Sequence, residues 1–403
     1  MDRQYIITER AHLMCPHMHF GIMISINEKY DLECVKETIR SLSNAHSLLK
    51  SVIAGDDSER LYYSFQEQSE IPFMEKSTIA TLQEDYRNIS ELGWDVFHEG
   101  LLKVVAYPKA EGFDLLFIAH HLLCDGRGLW ELAQSFANFY VKGQQPVSKE
   151  VCTIQSLKDF TVKCDLPWIS RFVVNSANKK WIKEAHTVDY SQYQIFEKDY
   201  IKQNPITMHI ETKGSTDVER ILISCHENQV SMNDYLIADM MLENHTNKVL
   251  IAADIRKYVS VYQKGSLGNY STAFSVVCNT KETDVWRLAQ YVTKVVKQCM
   301  QSPQKLMLVL ACYLRMCPGL IDAAAISTLG AYPSKAGNFV GSNMFGYKNQ
   351  DGCSITNLGR YKSDTIEKAV FIPPSSPANR KTLGIVTVNG KMSVCTMYHV
   401  FHR

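Results

Sequence analysis

The segment His120-His-Leu-Leu-Cys-Asp-Gly126 constrains this chain more than any other. It follows an apolar run, Phe113 to Ala119, that reads as a strand. It precedes a helical stripe of Leu129, Leu132, Ala133, Phe136, Phe139 and Tyr140. Adjacent side chains on an extended chain point to opposite sides. Only one of His120 and His121 can therefore face a given cleft, while the other packs inward. Asp125 and Gly126 suit a sharp turn into the helix, since an acid is favoured near a helix N-terminus and glycine permits the bend. A histidine held at a strand end is a suitable general base, because its ordinary pKa lies near neutrality. Two adjacent histidines can also be satisfied core residues with no chemical task.

The flanking chain alternates strand and helix patterns. His19 to Ile26 reads as a strand, and Leu32, Val35, Ile39, Leu42 and Leu49 mark a following helix. Leu101 to Tyr107 and Phe113 to Ala119 are joined by a turn-rich Pro108–Gly112 and form an expected hairpin. The stretch from Gly143 to Tyr200 is polar and irregular, with some helix around Trp168 to Trp181, and reads as a crossover between halves. Beyond it, Ser231 to Leu242 reads as a helix, Lys248 to Ile255 as a buried strand and Ser271 to Cys278 as another. A helical stripe runs from Val285 to Cys299. Leu383 to Val388 and Met392 to Tyr398 flank Asn389-Gly390, a strong hairpin signal. These patterns place the chain in the α/β (α+β) class with layered packing.

Composition excludes several classes. The chain has 403 residues, of which 45% are hydrophobic, and 43 Lys and Arg balance 42 Asp and Glu. It is too apolar and too evenly charged for a disordered chain. A net charge of +1 also lacks the basic excess of a general nucleic-acid binder. The length fits about two domains. The longest apolar run, Leu306 to Leu314, is ended by Arg315, so no transmembrane segment is expected. The N-terminus has no signal-peptide pattern, and a cytoplasmic location is expected. Twelve cysteines lie scattered from Cys15 to Cys395 with no CxxC pair, which argues for reduced, buried residues.

The segment at His120–Gly126 is similar to the HHxxxDG motif of the CoA-dependent acyltransferase superfamily, whose members share the chloramphenicol acetyltransferase-like fold. Condensation domains, wax ester synthases and alcohol acetyltransferases are among them. The lead-in Gly100 to His121 resembles the family's hairpin, and Ser231 to Leu242 its second-half opening helix. Val249 to Lys257 with Leu267 to Phe274 resembles the strand, arginine and Gly-Asn segment. Ser354 to Arg360 resembles the late Asn-Leu-Gly-Arg segment. The resemblance implies a two-layer sandwich of two acetyltransferase-like halves, residues 1–175 and 176–403, with a tunnel between them.

It also implies a mechanism. His121 would be the base that takes a proton from an acceptor alcohol or amine, which attacks an acyl thioester directly. His120 would pack, and Asp125 would pair with an arginine, Arg256 first and Arg360 second. Gly126 would shape the backbone beside the base. Donors to the oxyanion would come from Asn269, Ser271 and Thr272 or from Ser354, Thr356 and Asn357. Acyl-CoA, or an acyl chain on a carrier protein's phosphopantetheine, would be the co-substrate, with no bound cofactor and no metal. Both halves in one chain imply activity as a monomer. A non-catalytic binding protein keeping the fold is the rival of another class.

Other residues carry weaker signals. Cys124 has no neighbour that argues for a lowered pKa. Cys15, His17 and His19 lack the further ligands of a metal site. Lys257, Lys264, Arg380 and Lys381 are candidates for meeting CoA phosphates. Pro373 to Pro377 reads as a loop at a channel mouth.

Overall fold

The computed structural model describes residues 3–56, 60–67, 69–91 and 94–400. The first part of the chain runs β1 (His19–Ile26), α1 (Leu32–Ala45), β2 (Ser51–Gly55), β3 (Leu61–Phe65), β4 (Phe73–Glu75), α2 (Leu82–Glu91), β5 (Leu102–Pro108), β6 (Phe113–His120) and α3 (Gly126–Lys142). Two helices, α4 (Trp168–Glu184) and α5 (Tyr190–Gln203), form the crossover. Then come β7 (Ile206–Lys213), α6 (Ser215–Glu227), α7 (Met232–Glu243), β8 (Lys248–Asp254), β9 (Ser271–Val277) and α8 (Val285–Met300). Short helices α9 (Pro303–Leu306), α10 (Leu308–Tyr313), α11 (Pro318–Thr328) and α12 (Lys335–Asn343) lead to β10 (Gly352–Tyr361), β11 (Lys368–Ile372), β12 (Asn379–Val388) and β13 (Lys391–His399). Among the described residues, no helix is long and apolar enough to cross a membrane.

Two sheets divide the molecule into lobes, giving a mixed α/β architecture. The first has the order β11-β1-β6-β5-β4, and the second β7-β13-β12-β10-β8-β9, with β2-β3 a separate ribbon. Every residue of β1 and β6 is buried, so both faces of the first sheet are covered. Helices α1 and α3 pack against each other, and α3 also packs on β1 and β6. Tyr86 of α2 lies over Gly21 and donates its hydroxyl to the His19 carbonyl at 3.1 Å. The Asn389-Gly390 turn joins β12 to β13 antiparallel, with both residues at positive φ, 50° and 82°.

Three local readings differ from the structure. The helix expected to reach Leu49 stops at Ala45, because His46 turns extended and a short 3-10 turn buries Leu48 and Leu49 instead. The crossover holds two full helices where only one was legible. Trp168, Ile169, Phe172 and Ile182 of α4 and Ile195 of α5 are exposed, which blurs the one-sided periodicity a sequence can show. Strand β8 is alternately buried rather than wholly buried, and its more open face carries Leu250 and Ala252. The boundary at 175/176 falls inside α4.

The lobes are stitched late in the chain. Strand β11 completes the first sheet beside β1, and β12 then enters the second sheet. Gly384 of β12 sits where these strands approach: a Cβ there would lie 2.5 Å from the Phe371 carbonyl oxygen and from Pro373 Cδ. Overpacking of this kind typically costs about 1–3 kcal/mol. Gly384→Val should therefore lower the unfolding free energy from urea denaturation by an amount in that range, while the exposed control Lys391→Ala should leave it nearly unchanged.

Candidate active site

The end of β6 separates the two histidines. His120 is the last strand residue, opposite His19, and turns toward His19 and Trp94, with ring centres at 5.0 and 6.3 Å. Its Nδ1 accepts the Leu122 backbone N–H at 3.2 Å. His121 turns the other way. Its backbone N–H bonds the Met18 carbonyl at 2.9 Å, and its ring stacks on His12 at 4.1 Å with Phe20 alongside at 5.0 Å.

His121 faces a cavity of about 190 Å³ between the lobes. The first lobe supplies Thr8, His12 and Met18 beside it. The second supplies Asn269, Ser271, Thr272, Ser354 and Thr356. Five of the six proposed donor residues thus share one cavity with the histidine. The sixth, Asn357, does not line it, and its side chain caps the Gly359 N–H at 2.9 Å. Burial lowers the His121 pKa, opposed by its own backbone carbonyl and by Asp125. The imidazole is therefore neutral near pH 7, the form that accepts a proton.

The hydroxyls around the cavity are not equally free. Ser271 Oγ donates to Asn269 Oδ1 at 2.9 Å, Thr272 Oγ1 to the Leu306 carbonyl at 3.1 Å, and Ser354 Oγ to Thr382 Oγ1 at 2.9 Å. Thr382 and Asn379 also line the cavity. Asn269 Nδ2 lies 3.3 Å from His121 Nδ1. Thr356 has no hydrogen-bond partner for its hydroxyl among the described residues, which leaves that donor available.

Asp125 organises the loop without entering the cavity. Its Oδ1 accepts the Gly128 N–H at 2.8 Å, capping α3, and its Oδ2 accepts the Tyr270 N–H at 2.7 Å. Arg256 closes the set as a fork, Nη1 to Oδ2 at 3.0 Å and Nη2 to Oδ1 at 2.9 Å. Arg256 also reaches Asp254 Oδ1 at 3.2 Å and lies 5.4 and 5.2 Å from the ring centres of Tyr262 and Tyr270. Burial opposes its charge, but Asp125, Asp254 and Glu131 together outweigh that and raise its pKa. Arg360 instead lies exposed near the end of β10. Gly126 does not adopt positive φ. Instead the approach is close, since a Cβ would meet Leu358 Cδ2 and Phe371 Cζ at 3.0 Å.

The architecture around this site has known counterparts. A trichothecene 15-O-acetyltransferase from Fusarium sporotrichioides superposes with TM-score 0.65 at 9% identity, covering 98% of this chain and 90% of its own. The condensation domain of the Monacolin K polyketide synthase gives 0.63 at 10%, covering 100% and 93%. The epimerization domain of the third module of tyrocidine synthetase B gives 0.58 at 15%, covering 95% and 86%. This chain has the condensation-domain fold. No protein-family model and no curated sequence matches it.

Within the condensation-type fold the weaker signals fall elsewhere. Cys124 is buried, and burial pushes its thiol well above the ordinary range. Cys15 Sγ lies 3.4 Å from the Tyr347 hydroxyl, and burial pushes its pKa up to about 12. His17, at φ 62°, precedes β1 rather than sharing its regular face with His19. Both histidines line another cavity, of about 410 Å³, with Pro373 and Ser375. Met18, Pro374 and Ser376 line the one at His121, so the 17–19 and 373–376 segments form a wall with alternate side chains on either side. Among the described residues no His, Cys, Asp and Glu group is placed to hold a metal. None of Lys257, Lys264, Arg380 and Lys381 lines the cavity. Lys381 is engaged by Glu243 at 2.9 Å.

His12 escaped the sequence reading. It lies on a 3-10 turn, Arg10–His12, that is anchored by Arg10 to Asp322 through bonds of 2.7 and 2.5 Å. No spacing in the chain announces a contact across 312 positions.

Two outcomes follow from these environments. Asp125→Ala strands the buried Arg256 and should cost about 3–5 kcal/mol in urea denaturation; Arg360→Ala should cost less than 1 kcal/mol (~0.5). The second outcome concerns pH. Burial pushes His19 down to about 3 and His399 to about 4, and lowers His17, His46 and His120. Their stabilising contribution is present above the unfolded value, about 6.5, and is lost as pH falls. Burial raises Glu9 and Glu197 to about 7, so their contribution is present below about 4.5 and lost as pH rises. The imidazoles outnumber the carboxyls, so stability should fall from pH 6.5 to 5, by about 1.4 kcal/mol per pH unit for each net proton. Denaturation midpoints across that range check the sign.

Proposed function

We propose that this protein is an acyltransferase moving an acyl group from a thioester to an alcohol or amine, with His121 as the general base. One observation carries the reading: a neutral imidazole faces an interlobe cavity whose other wall bears hydroxyl and amide donors. The acceptor O–H or N–H gives its proton to His121 as its heteroatom attacks the thioester carbonyl carbon. The resulting oxyanion is met by donors of the second lobe, with Thr356 the first candidate and Thr382 and Asn379 beside it. Collapse re-forms the carbonyl and breaks the C–S bond, and the imidazolium returns the proton to the thiolate. No covalent acyl-enzyme is required. The acetyltransferase among the structural counterparts supports this class of reaction.

Acyl-CoA is the proposed donor. Carrier-bound phosphopantetheine is the second reading, favoured by the condensation domain among the counterparts and by the absence, among the described residues, of a lysine or arginine lining the cavity. The carrier form presents the same thioester but needs no grip on nucleotide phosphates. Parallel assays with acyl-CoA and acyl-carrier protein separate the two.

Thiol release in the presence of an acceptor tests the base. General base catalysis contributes about 10²–10⁴-fold, so His121→Ala should lower kcat by that order with the fold retained. Unchanged turnover would remove His121 from the role. Because burial lowers the His121 pKa, the acid limb of the wild-type kcat/KM profile should lie below about pH 6.5. Thr356→Val should lower kcat by about 10²-fold through loss of an oxyanion donor.

A further inference from the structure

An apolar groove of about 280 Å³ adjoins the catalytic cavity. Ile169 and Val173 of α4 form one side, Leu308 and Cys312 of α10 another, and Met344 and Phe345 the third. Val309 and Tyr313 line both the groove and the catalytic cavity, so only these side chains of α10 stand between the two spaces. Apart from Ser170 and the Tyr313 hydroxyl, the groove lining is apolar. The catalytic cavity, by contrast, carries His121, Asn269 and several hydroxyls.

Helix α4, which forms one side, carries unusual side chains for a surface. Ile169, in the groove lining, is 57% exposed, and its neighbours on the helix, Trp168 and Phe172, are 78% and 70% exposed. Clustered large apolar side chains in water mark a site that covers them with something else. A binding site with an apolar extension and a few convergent polar groups selects a molecule divided the same way.

We propose that this groove holds an unbranched hydrocarbon chain attached to one of the two reacting partners, so the enzyme handles a medium- or long-chain substrate. The reactive carbonyl or nucleophile sits at His121, and the chain passes Val309 and Tyr313 into the groove, toward the rim at Ile169. The inference rests on the acyl-transfer reading for the position of the reacting end. The chain can enter as the acyl group of the donor or as the tail of the acceptor, and the two sources are separable by experiment.

Two series of unreactive ligands test it, S-alkyl-CoA thioethers and primary alkyl alcohols, each from ethyl to tetradecyl. Binding is measured by calorimetry on the His121→Ala protein. In one series affinity should rise with chain length, by about fourfold for each methylene buried. That series identifies which partner carries the chain. Val173→Trp and Met344→Trp, which fill the groove from two independent elements, should flatten the rise and leave the ethyl ligands unchanged. Flat affinity in both series overturns the proposal, as does a rise that survives in both folded variants. The acyl-transfer reading is judged separately by thiol release. Chain-length-dependent binding without thioester turnover would keep the groove and discard the chemistry.

Discussion

The structure turns on one buried carboxylate. Asp125 ends the histidine loop, caps α3 through the Gly128 N–H and receives the forked Arg256 and the Tyr270 N–H from the second lobe. A carboxylate accepts at several lone pairs, and here four donors from three chain segments converge on it. The same contact that begins a helix in the first lobe therefore fixes the register of the β8–β9 segment in the second. Charges taken out of water gain little net stability even when paired, so the effect of this pair lies in geometry. It holds Asn269, Ser271 and Thr272 across a narrow gap from His121.

Around that joint, histidines are kept neutral by burial. His17, His19 and His120 lie in the wall behind the cavity, and His12 stacks on His121 inside it. A proton on any one of them would have to be held in apolar surroundings beside other imidazoles. This arrangement favours the proton-accepting form of His121. It also links the stability of the lobe junction to acidity, with Glu9 and Glu197 working in the opposite direction.

Two neighbouring spaces differ in chemistry. Polar donors gather in the cavity at His121, while the groove beyond Val309 and Tyr313, lined from α4, α10, Met344 and Phe345, offers almost nothing but apolar surface. The near-even charge of the chain fits this division. Among the described residues, no lysine or arginine lines either space.

The sequence by itself determined the strands and helices with one-sided periodicity, because burial on one face leaves a repeat that can be read locally. It also singled out His121, Asp125 and the segments that line the cavity opposite His121, through a compact motif and its flanks. It set the hairpin at Asn389-Gly390, because that pair tolerates positive φ. Only the tertiary structure decided the rest. It placed β11 beside β1, brought His12 over His121 through the Arg10–Asp322 bridge, and left Asn357 outside the cavity. It also opened a groove between α4 and α10. These depend on contacts between residues far apart in the chain, which leave no local period or spacing. The exposed apolar side chains of α4 obscured even the helix that carries them.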